Sequence, residues 1–240
     1  MEPRRNAEGN NLKKCLHRNV HSEFSAFISA SLCDLRGKSH TECHLRESMR
    51  PIRAFIAVEL SGTVIARALA AIKLLTTSGA EVSWVARPQM HLTLKFLGNV
   101  PEVETPDVCR VVAEAAARIE PFEIVFKGLG AFPRVSEPRT IWLGIGQGRE
   151  ELTELHAAIE GALQKEMGFG KEHRKFHPHL TLGRLRKESD PAREELSRLL
   201  QENANFDGDL TVVEEVVTFA SFLGRQGPAH EPIGHASLAE

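Results

Sequence analysis

The hydrophobic and polar positions of the chain become periodic only after its first 48 residues. The apolar run RAFIAVEL at residues 53–60, closed by Ser-Gly-Thr, predicts a strand. Apolar residues between Val64 and Leu75 then recur at helical spacing, and Gly79 follows as a helix stop. The ordered part of the chain therefore begins with a strand followed by a helix.

The rest of the chain continues to mix the two kinds of element. Strands are predicted over residues 82–85, 91–96, 122–132, 139–146, 179–184 and 210–223, with a short partner strand near the C-terminus. Helices are predicted from Thr105-Pro106, across residues 152–163 with a stop near Gly168, and from Pro191. Because strict strand–helix–strand alternation is missing, the pattern favours an α+β fold over a doubly wound one. We expect a bilobal arrangement of two antiparallel sheets with helices outside, related by internal pseudo-two-fold symmetry.

The tetrapeptide HLTL occurs twice, at residues 91–94 and 179–182, each time in a predicted strand. Successive side chains of a strand point to opposite faces. His91 and Thr93 therefore share one face, as do His179 and Thr181, while the leucines take the other face. Each copy is predicted to be held in the core by its leucines and to present one imidazole and one hydroxyl.

Two such strand faces, placed side by side, have the groups needed to cleave a phosphodiester. Imidazole has a reference pKa of about 6.5, and two neighbouring imidazoles favour a state with one neutral and one protonated ring. The neutral ring can activate water and the protonated ring can protonate the departing oxygen. The hydroxyls can donate to the non-bridging phosphate oxygens. This scheme needs no metal ion and no cofactor, so none is predicted.

Three other interpretations stay open at this point. The repeat could be two half-exposed strand positions without function, or a non-catalytic pocket for a nucleotide or RNA. Threonine in both copies favours catalysis, because binding alone would tolerate its loss. A zinc hydrolase could use His91, His177 and His179, although no cysteine or carboxylate completes that set.

Charge and composition restrict the partners of the protein. The 240 residues are 42% hydrophobic and 26% charged, with a formal net charge of −2, so no overall basic field attracts nucleic acid or anionic lipid. A phosphate ligand must then be held by a local group of charges. One basic cluster surrounds the second HLTL copy and either contacts an RNA backbone or forms a solvated face; it consists of Lys171, Arg174, Lys175, Arg186 and Lys187.

Cellular location is inferred from three negative signals. The sequence has no apolar run of 18 or more residues, no signal peptide and no CxxC pair among its four cysteines. We therefore expect a cytoplasmic protein without a membrane contact.

The first 48 residues form a separate region in this interpretation. They contain three of the four cysteines and four of the eleven histidines, but at spacings that match no usual zinc site. We expect residues 1–48 to be a disordered or artefactual extension, with translation starting at Met49, and residues 49–240 to form the functional domain.

The segments HLTLKFLG and HPHLTLGR resemble the paired signature of the 2H phosphoesterase superfamily. RAFIAVEL, GLGAFP and SFLGRQGP further resemble its RNA 2′,3′-cyclic phosphodiesterase branch, also called 2′-5′ RNA ligase, and the resemblance covers residues 52–233. It implies a bilobal α+β fold whose two motifs face each other across a central cleft. It also implies metal-independent hydrolysis of 2′,3′-cyclic phosphates on RNA ends or cyclic nucleotides to 2′-phosphates, with 2′-5′ ligation as the alternative, by a monomeric protein.

The resemblance also assigns roles to individual residues. His91 becomes the proton donor to O3′ and His179 the proton acceptor from water, with Thr93 and Thr181 binding the substrate. Arg184 occupies a position that is often basic in the family. Simple alternation points Arg184 away from His179, so a binding role for it requires a twist or a strand end.

Three aromatic or imidazole side chains complete the expectations. Relatives often carry a tyrosine in the C-terminal strand, whereas this chain has no tyrosine and places His230 there. Phe132 and Trp142 could stack on a base, but their strand patterns favour a core position.

Overall fold

A computed structural model describes residues 51–172, 174–187, 190–224 and 227–239. The proposed extension at residues 1–48 and the proposed start at Met49 lie outside these residues. The chain divides into two compact units, and the larger one comprises Ile52–Val100 and Glu104–Glu240. The other, Met1–Pro51 with Pro101–Val103, lies almost entirely outside the described residues. Both HLTL copies belong to the larger unit.

The elements of the structure are, in chain order, β1 (Pro51–Val58), α1 (Gly62–Thr76), β2 (Glu81–Trp84), a 3₁₀ turn (Arg87–Gln89), β3 (Leu92–Pro101), a second 3₁₀ turn (Glu102–Glu104), α2 (Thr105–Ala116), β4 (Phe122–Arg134), β5 (Glu137–Ile145), α3 (Arg149–Met167), β6 (His179–Lys187), α4 (Asp190–Glu202), β7 (Asp207–Val213), β8 (Glu215–Gly224) and β9 (Gly227–Ser237). Strands and helices are mixed and the strands pair in antiparallel fashion, which confirms the α+β class.

Local signals explain where the helices begin and end. The Ser61 hydroxyl caps α1 by accepting the Val64 N–H at 3.3 Å. Pro106 lies in the first turn of α2, where its missing N–H costs nothing. α3 ends at Gly168, whose φ of 73° is left-handed and suits glycine. None of the helices in the described ranges is both long and apolar enough to cross a membrane.

The strands follow the order β7-β4-β5-β6-β3-β1-β8-β9, and β2 pairs separately with β6. The two central strands, β6 and β3, are those that carry the HLTL copies. On either side of them lie three further strands, so the two halves are related by a pseudo-two-fold axis through this junction. The expected bilobal symmetry is confirmed, and the two antiparallel halves are joined by backbone hydrogen bonds.

One predicted strand is wrong in its extent. Residues 210–223 do not form a single strand, because β7 ends at Val213 and β8 begins at Glu215. β7 pairs with β4 and β8 pairs with β1, so the chain crosses here from one half of the sheet to the other.

The core lies on one face of the sheet. Leu92, Leu94, Leu180 and Leu182 are each 2% exposed or less, as the alternation within the two motifs predicts. They belong to one apolar cluster with the inner faces of helices α1 to α4. A second, smaller cluster of Phe55, Ala57, Val217 and Phe219 forms from the alternate positions of β1 and β8, on the opposite face.

Both central strands change their alternation immediately after the motif. In β3, Leu94 and Lys95 are both buried, and Phe96 is 60% exposed with its ring centroid 6.1 Å from that of Phe55. In β6, the pairing with β5 shifts by one residue beside Leu182. Phe96, three residues after Thr93, and Arg184, three residues after Thr181, therefore lie on the face of the sheet that carries the histidines.

A buried ion pair connects β3 to the segment that leads into β6. The Lys95 Nζ lies 2.8 Å from Glu160 Oε1 on α3, with side chains that are 2% and 7% exposed. Lys95 also donates to the Gly170 carbonyl, and the Glu172 N–H donates to Glu160. Burial alone would raise the pKa of Glu160, but the Glu172 N–H and the Lys95 ammonium hold that pKa below its usual value. The pair therefore fixes the start of the segment that carries the second motif.

We expect the Lys95→Met variant to lose about 3 kcal/mol of unfolding free energy, because it leaves the Glu160 carboxylate buried and unpaired. Urea unfolding monitored by circular dichroism measures this loss. The Lys95→Met/Glu160→Leu double variant removes both charges and should recover much of it. A double variant less stable than the single one would contradict this account.

Candidate active site

The pairing of β3 with β6 brings the two HLTL copies side by side. The strands are antiparallel and Leu92 lies opposite Leu180. One residue to either side, this register sets His91 beside Thr181 and Thr93 beside His179. The four predicted side chains thus form one quartet on the face opposite the buried leucines.

The two histidines occupy diagonal positions of this quartet. Diagonal neighbours on adjacent antiparallel strands lie about 7–8 Å apart, within reach of long side chains. A spacing of this order suits two side chains that act on opposite sides of one phosphate. Thr93 and Thr181 are both half-buried and lie on the two remaining corners. The arrangement can therefore surround a phosphate with two imidazoles and two hydroxyls.

Hydrogen bonds to the backbone orient both imidazoles. The Nδ1 of His179 lies 2.7 Å from the His177 carbonyl oxygen. A carbonyl oxygen only accepts, so Nδ1 carries the hydrogen and Nε2 is the nitrogen free for proton transfer. His91 is likewise hydrogen-bonded by the backbone of Gln89. In each motif the partner is the residue two positions before the histidine, which repeats the internal symmetry.

Aromatic rings surround His91. Phe55 stacks on it with ring centroids 4.7 Å apart, and His230 on β9 meets it edge-on at 5.3 Å. At the position where relatives often carry a tyrosine, this chain thus has His230, whose imidazole contacts His91. Burial first, and then the charge of a protonated His230, lower the pKa of His91 to about 4, against the effect of the Gln89 hydrogen bond.

The surroundings of His179 are aromatic too. The Phe132 ring meets it edge-on at 5.0 Å, and His177 packs against both Phe132 and Trp142. Trp142 lies across Gly130, where an added Cβ would come within 2.3 Å of the indole ring. Phe132 and Trp142 are half-buried and lie outside the main apolar core, so the core position favoured from the sequence is wrong for both.

Arg184 lies on the face that carries the quartet, and the direction derived from simple alternation is wrong. Across the shift in β6, Arg184 pairs with Thr140, while Thr181 pairs with Trp142. Thr140 and Trp142 share a face of β5, because Ile141 between them is fully buried in the core. Arg184 therefore returns to the side of His179 and is exposed there.

Arg184 also acts on the pKa of His179. Burial lowers that pKa most, and the hydrogen bond to the His177 carbonyl partly restores it. The charges of His177 and Arg184 lower it again, because each disfavours a second positive charge nearby. Both motif histidines are therefore biased toward the neutral form in the free protein.

A cavity of about 380 Å³ opens beside His91. Its lining comes from the end of β1, from α1, from the first 3₁₀ turn, and from β8 and β9; it consists of Glu59, Leu60, Ile65, Arg87, Pro88, Met90, His91, Phe219 and His230. No local pattern in the sequence predicts this cavity, because its walls come from five separate segments.

The basic cluster predicted around the second motif is exposed wherever the structure describes its side chains. Lys171, Arg174 and Lys175 are exposed in the segment before β6, and Arg186 is exposed on β6. The side chain of Lys187 lies outside the described residues.

The zinc set considered from the sequence is not assembled. The His177 and His179 rings lie 6.3 Å apart. Within the part of the chain that the structure describes, no three His, Cys, Asp or Glu side chains gather as metal ligands.

Comparisons with known proteins agree with this geometry. The model of the 2′-5′ RNA ligase superfamily matches residues 63–217. The RNA 2′,3′-cyclic phosphodiesterase of Aeropyrum pernix is 35% identical over 163 residues, covering 68% of this chain and 89% of the relative. The protein of the same name from Methanothermobacter thermautotrophicus is 33% identical over 179 residues, covering 75% of this chain and 95% of the relative.

Solved structures show the same fold. The crystal structure of TT0787 of Thermus thermophilus has a TM-score of 0.66 at 25% identity and covers 78% of this chain and 98% of its own. The crystal structure of E. coli LigT in apo form has a TM-score of 0.61 at 23% identity and covers 79% and 99%. The chain therefore belongs to the 2′-5′ RNA ligase superfamily.

Proposed function

We propose that this protein is a metal-independent RNA 2′,3′-cyclic phosphodiesterase that uses His91 and His179 as acid and base. The observation that carries this proposal is the antiparallel pairing that sets two His-x-Thr segments side by side on one face of the sheet. The activity named for the relatives from Aeropyrum and Methanothermobacter supports the substrate class.

The proposed reaction places the cyclic phosphate between the two imidazoles. The Nε2 of His179 takes a proton from a water molecule, whose oxygen then bonds to phosphorus. The bond from phosphorus to O3′ breaks, and His91 gives its proton to that oxygen. O2′ stays bonded, so the product is a 2′-phosphate. A second proton exchange with solvent returns both rings to their starting states.

The other members of the site hold the charge of the phosphate. Thr93 and Thr181 are placed to donate their hydroxyl hydrogens to the non-bridging oxygens, where negative charge grows in the transition state. Arg184 adds a positive charge on the same face. Fixed donors of this kind need no reorganisation during the reaction, because rigid strands carry them.

The protonation of His91 depends on the substrate in this scheme. Its lowered pKa leaves it neutral in the free protein at neutral pH. A bound phosphodiester anion acts in the opposite direction, because a negative charge nearby favours the imidazolium form. Binding of the substrate therefore supplies the charge that the acid needs.

Ligation is the second reaction that the same site supports, and the family to which the chain belongs favours it. The 5′-hydroxyl of a second RNA would replace water as the nucleophile, with His179 taking its proton and O3′ leaving as before. The product is then a 2′-5′ linkage. The same residues serve both reactions, so supply of a 5′-hydroxyl end decides between them.

We expect replacement of either His91 or His179 by alanine to slow hydrolysis of an oligonucleotide ending in a 2′,3′-cyclic phosphate by about 10²- to 10⁴-fold, because each performs a proton transfer. The product resolved by chromatography should be the 2′-phosphate, and EDTA should leave the rate unchanged. His235→Ala is the matched control, since this exposed histidine lies on β9, outside the quartet, and contacts Glu215. Loss of activity with EDTA, or an unaffected His91→Ala variant, would refute the mechanism.

The two roles can be separated with a substrate whose leaving group needs no proton. Bis(4-nitrophenyl) phosphate releases a stable phenolate, so His91→Ala should slow its hydrolysis far less than that of the cyclic phosphate. His179→Ala should slow both substrates to a similar extent, because water still requires a base. The absorbance of nitrophenolate measures the first rate. If His179→Ala instead spares the nitrophenyl substrate and His91→Ala slows both substrates, His179 is the acid and His91 is the base.

The pH dependence follows from the lowered pKa values. The profile of kcat/KM reports the free enzyme, where the acid must be protonated and the base neutral. Activity is thus lost below the pKa of His179 and above that of His91. Since burial holds both below the ordinary 6.5, and that of His91 at about 4, the bell-shaped maximum should lie below pH 6.5. The kcat maximum should lie at higher pH, because bound phosphate raises the pKa of His91. A kcat/KM that rises through pH 7 would be inconsistent with these environments.

A further inference from the structure

We propose that the cavity beside His91 binds the base of the terminal nucleotide and prefers guanine. This inference rests on the proposed function, because it identifies the substrate that the same site takes. It goes beyond the reaction itself by assigning specificity to Glu59 and Arg87, which have no part in the proton transfers.

The chemistry of the displacement places the nucleoside on the side of the acid. Attack on phosphorus proceeds in line, so the water and the departing O3′ lie at opposite ends of the reacting phosphate. O3′ belongs to the terminal ribose, and that ribose carries the base. If His91 protonates O3′, the base must lie on the His91 side of the quartet. The cavity opens on that side, with His91 itself in its lining.

The size and apolar surfaces of the cavity suit a planar base. A volume of about 380 Å³ falls in the range of roughly 300–1,000 Å³ that small-molecule sites occupy. Met90 and Phe219 are buried, and with Leu60, Ile65 and Pro88 they give the cavity apolar walls. Such walls favour the faces of an aromatic ring and leave its polar edge to be met by other groups.

Two charged side chains can meet that edge. Glu59 and Arg87 are exposed, and both line the cavity. Among the described residues, neither forms an ion pair or a side-chain hydrogen bond with another residue. Their polar groups are therefore available to a ligand. A carboxylate offers two acceptor oxygens, and a guanidinium offers several N–H donors in one plane.

Guanine is the base whose edge matches both groups. Its N1–H and N2–H₂ are adjacent donors that a carboxylate accepts together, and its O6 and N7 are adjacent acceptors that a guanidinium reaches in bidentate form. Adenine and cytosine present one amino group beside an acceptor, and uracil presents a single N–H between two carbonyls. Each of these leaves one Glu59 oxygen facing an acceptor, which is unfavourable when the pair is desolvated.

Four cyclic mononucleotides test the preference directly. We expect kcat/KM of the full chain for guanosine 2′,3′-cyclic phosphate to exceed that for the adenosine, cytidine and uridine compounds by about tenfold or more, since a lost charged hydrogen bond costs at least that factor. Glu59→Gln should lower kcat/KM for the guanosine compound about tenfold and leave the other three nearly unchanged. Arg87→Gln should likewise lower kcat/KM for the guanosine compound.

Matched controls separate a local contact from a general change of charge. Glu123→Gln and Arg118→Gln alter exposed residues outside the cavity lining, so they should preserve the order of the four substrates. Since Glu59 and Arg87 are exposed, their variants should fold, and thermal unfolding monitors this. Equal kcat/KM for the four nucleotides, or a guanine preference that survives in Glu59→Gln, would overturn the inference while leaving the phosphodiesterase activity established.

A binding measurement keeps the inference testable if no hydrolysis occurs. Failure to cleave both the cyclic nucleotides and an oligonucleotide with a cyclic end would refute the proposed function. Calorimetry with guanosine 2′-phosphate and adenosine 2′-phosphate would then decide about the cavity alone. Tighter binding of the guanosine compound that is lost in Glu59→Gln supports the guanine site, and equal binding of both compounds overturns it.

Discussion

The hydrogen bonding between β3 and β6 is the interaction on which the site depends. It is the only junction between the two halves along the main strand order of the described residues, and it sets the register of the two motifs. A slip of one residue would turn the histidines into the core and the leucines toward the solvent. Because the four leucines of the two motifs are buried in the observed register, their burial stabilises the pairing that brings the histidines and threonines together. Alternate residues of the same two segments thus supply the buried leucines and the proposed catalytic side chains.

The two halves share a framework but differ in what surrounds each histidine. His91 faces Phe55, His230 and an open cavity, whereas His179 faces Phe132, His177 and the charge of Arg184. The equivalent positions after the two motifs hold an exposed phenylalanine in β3 and an arginine in β6. In the proposed mechanism, environment rather than residue type thus distinguishes the roles of two chemically identical imidazoles. The segment before His179 is in turn held by the buried contact of Lys95 with Glu160.

The sequence predicts those features that follow from strand alternation alone. The quartet of His91, Thr93, His179 and Thr181 can be named from it, because each pair lies within three residues of one strand. The face on which Arg184 lies cannot be predicted in this way, because it depends on the one-residue shift in the pairing of β6 with β5. The break near Val213 escapes prediction because two strands from opposite halves of the sheet follow each other with one residue between them. The cavity escapes it too, because distant segments build its walls and the outcome of such packing has no local sequence pattern.

The pseudo-two-fold symmetry has a consequence for regiochemistry. A quartet of two histidines and two threonines looks nearly the same from either side, so by itself it would accept a cyclic phosphate in two opposite orientations. In one orientation O3′ faces His91, and in the other O2′ does. Proton transfer would proceed in both, and a mixture of 2′- and 3′-phosphates would result. A single product would require that the symmetry be broken outside the quartet, and the unequal walls around His91 and His179 are an asymmetry of this kind.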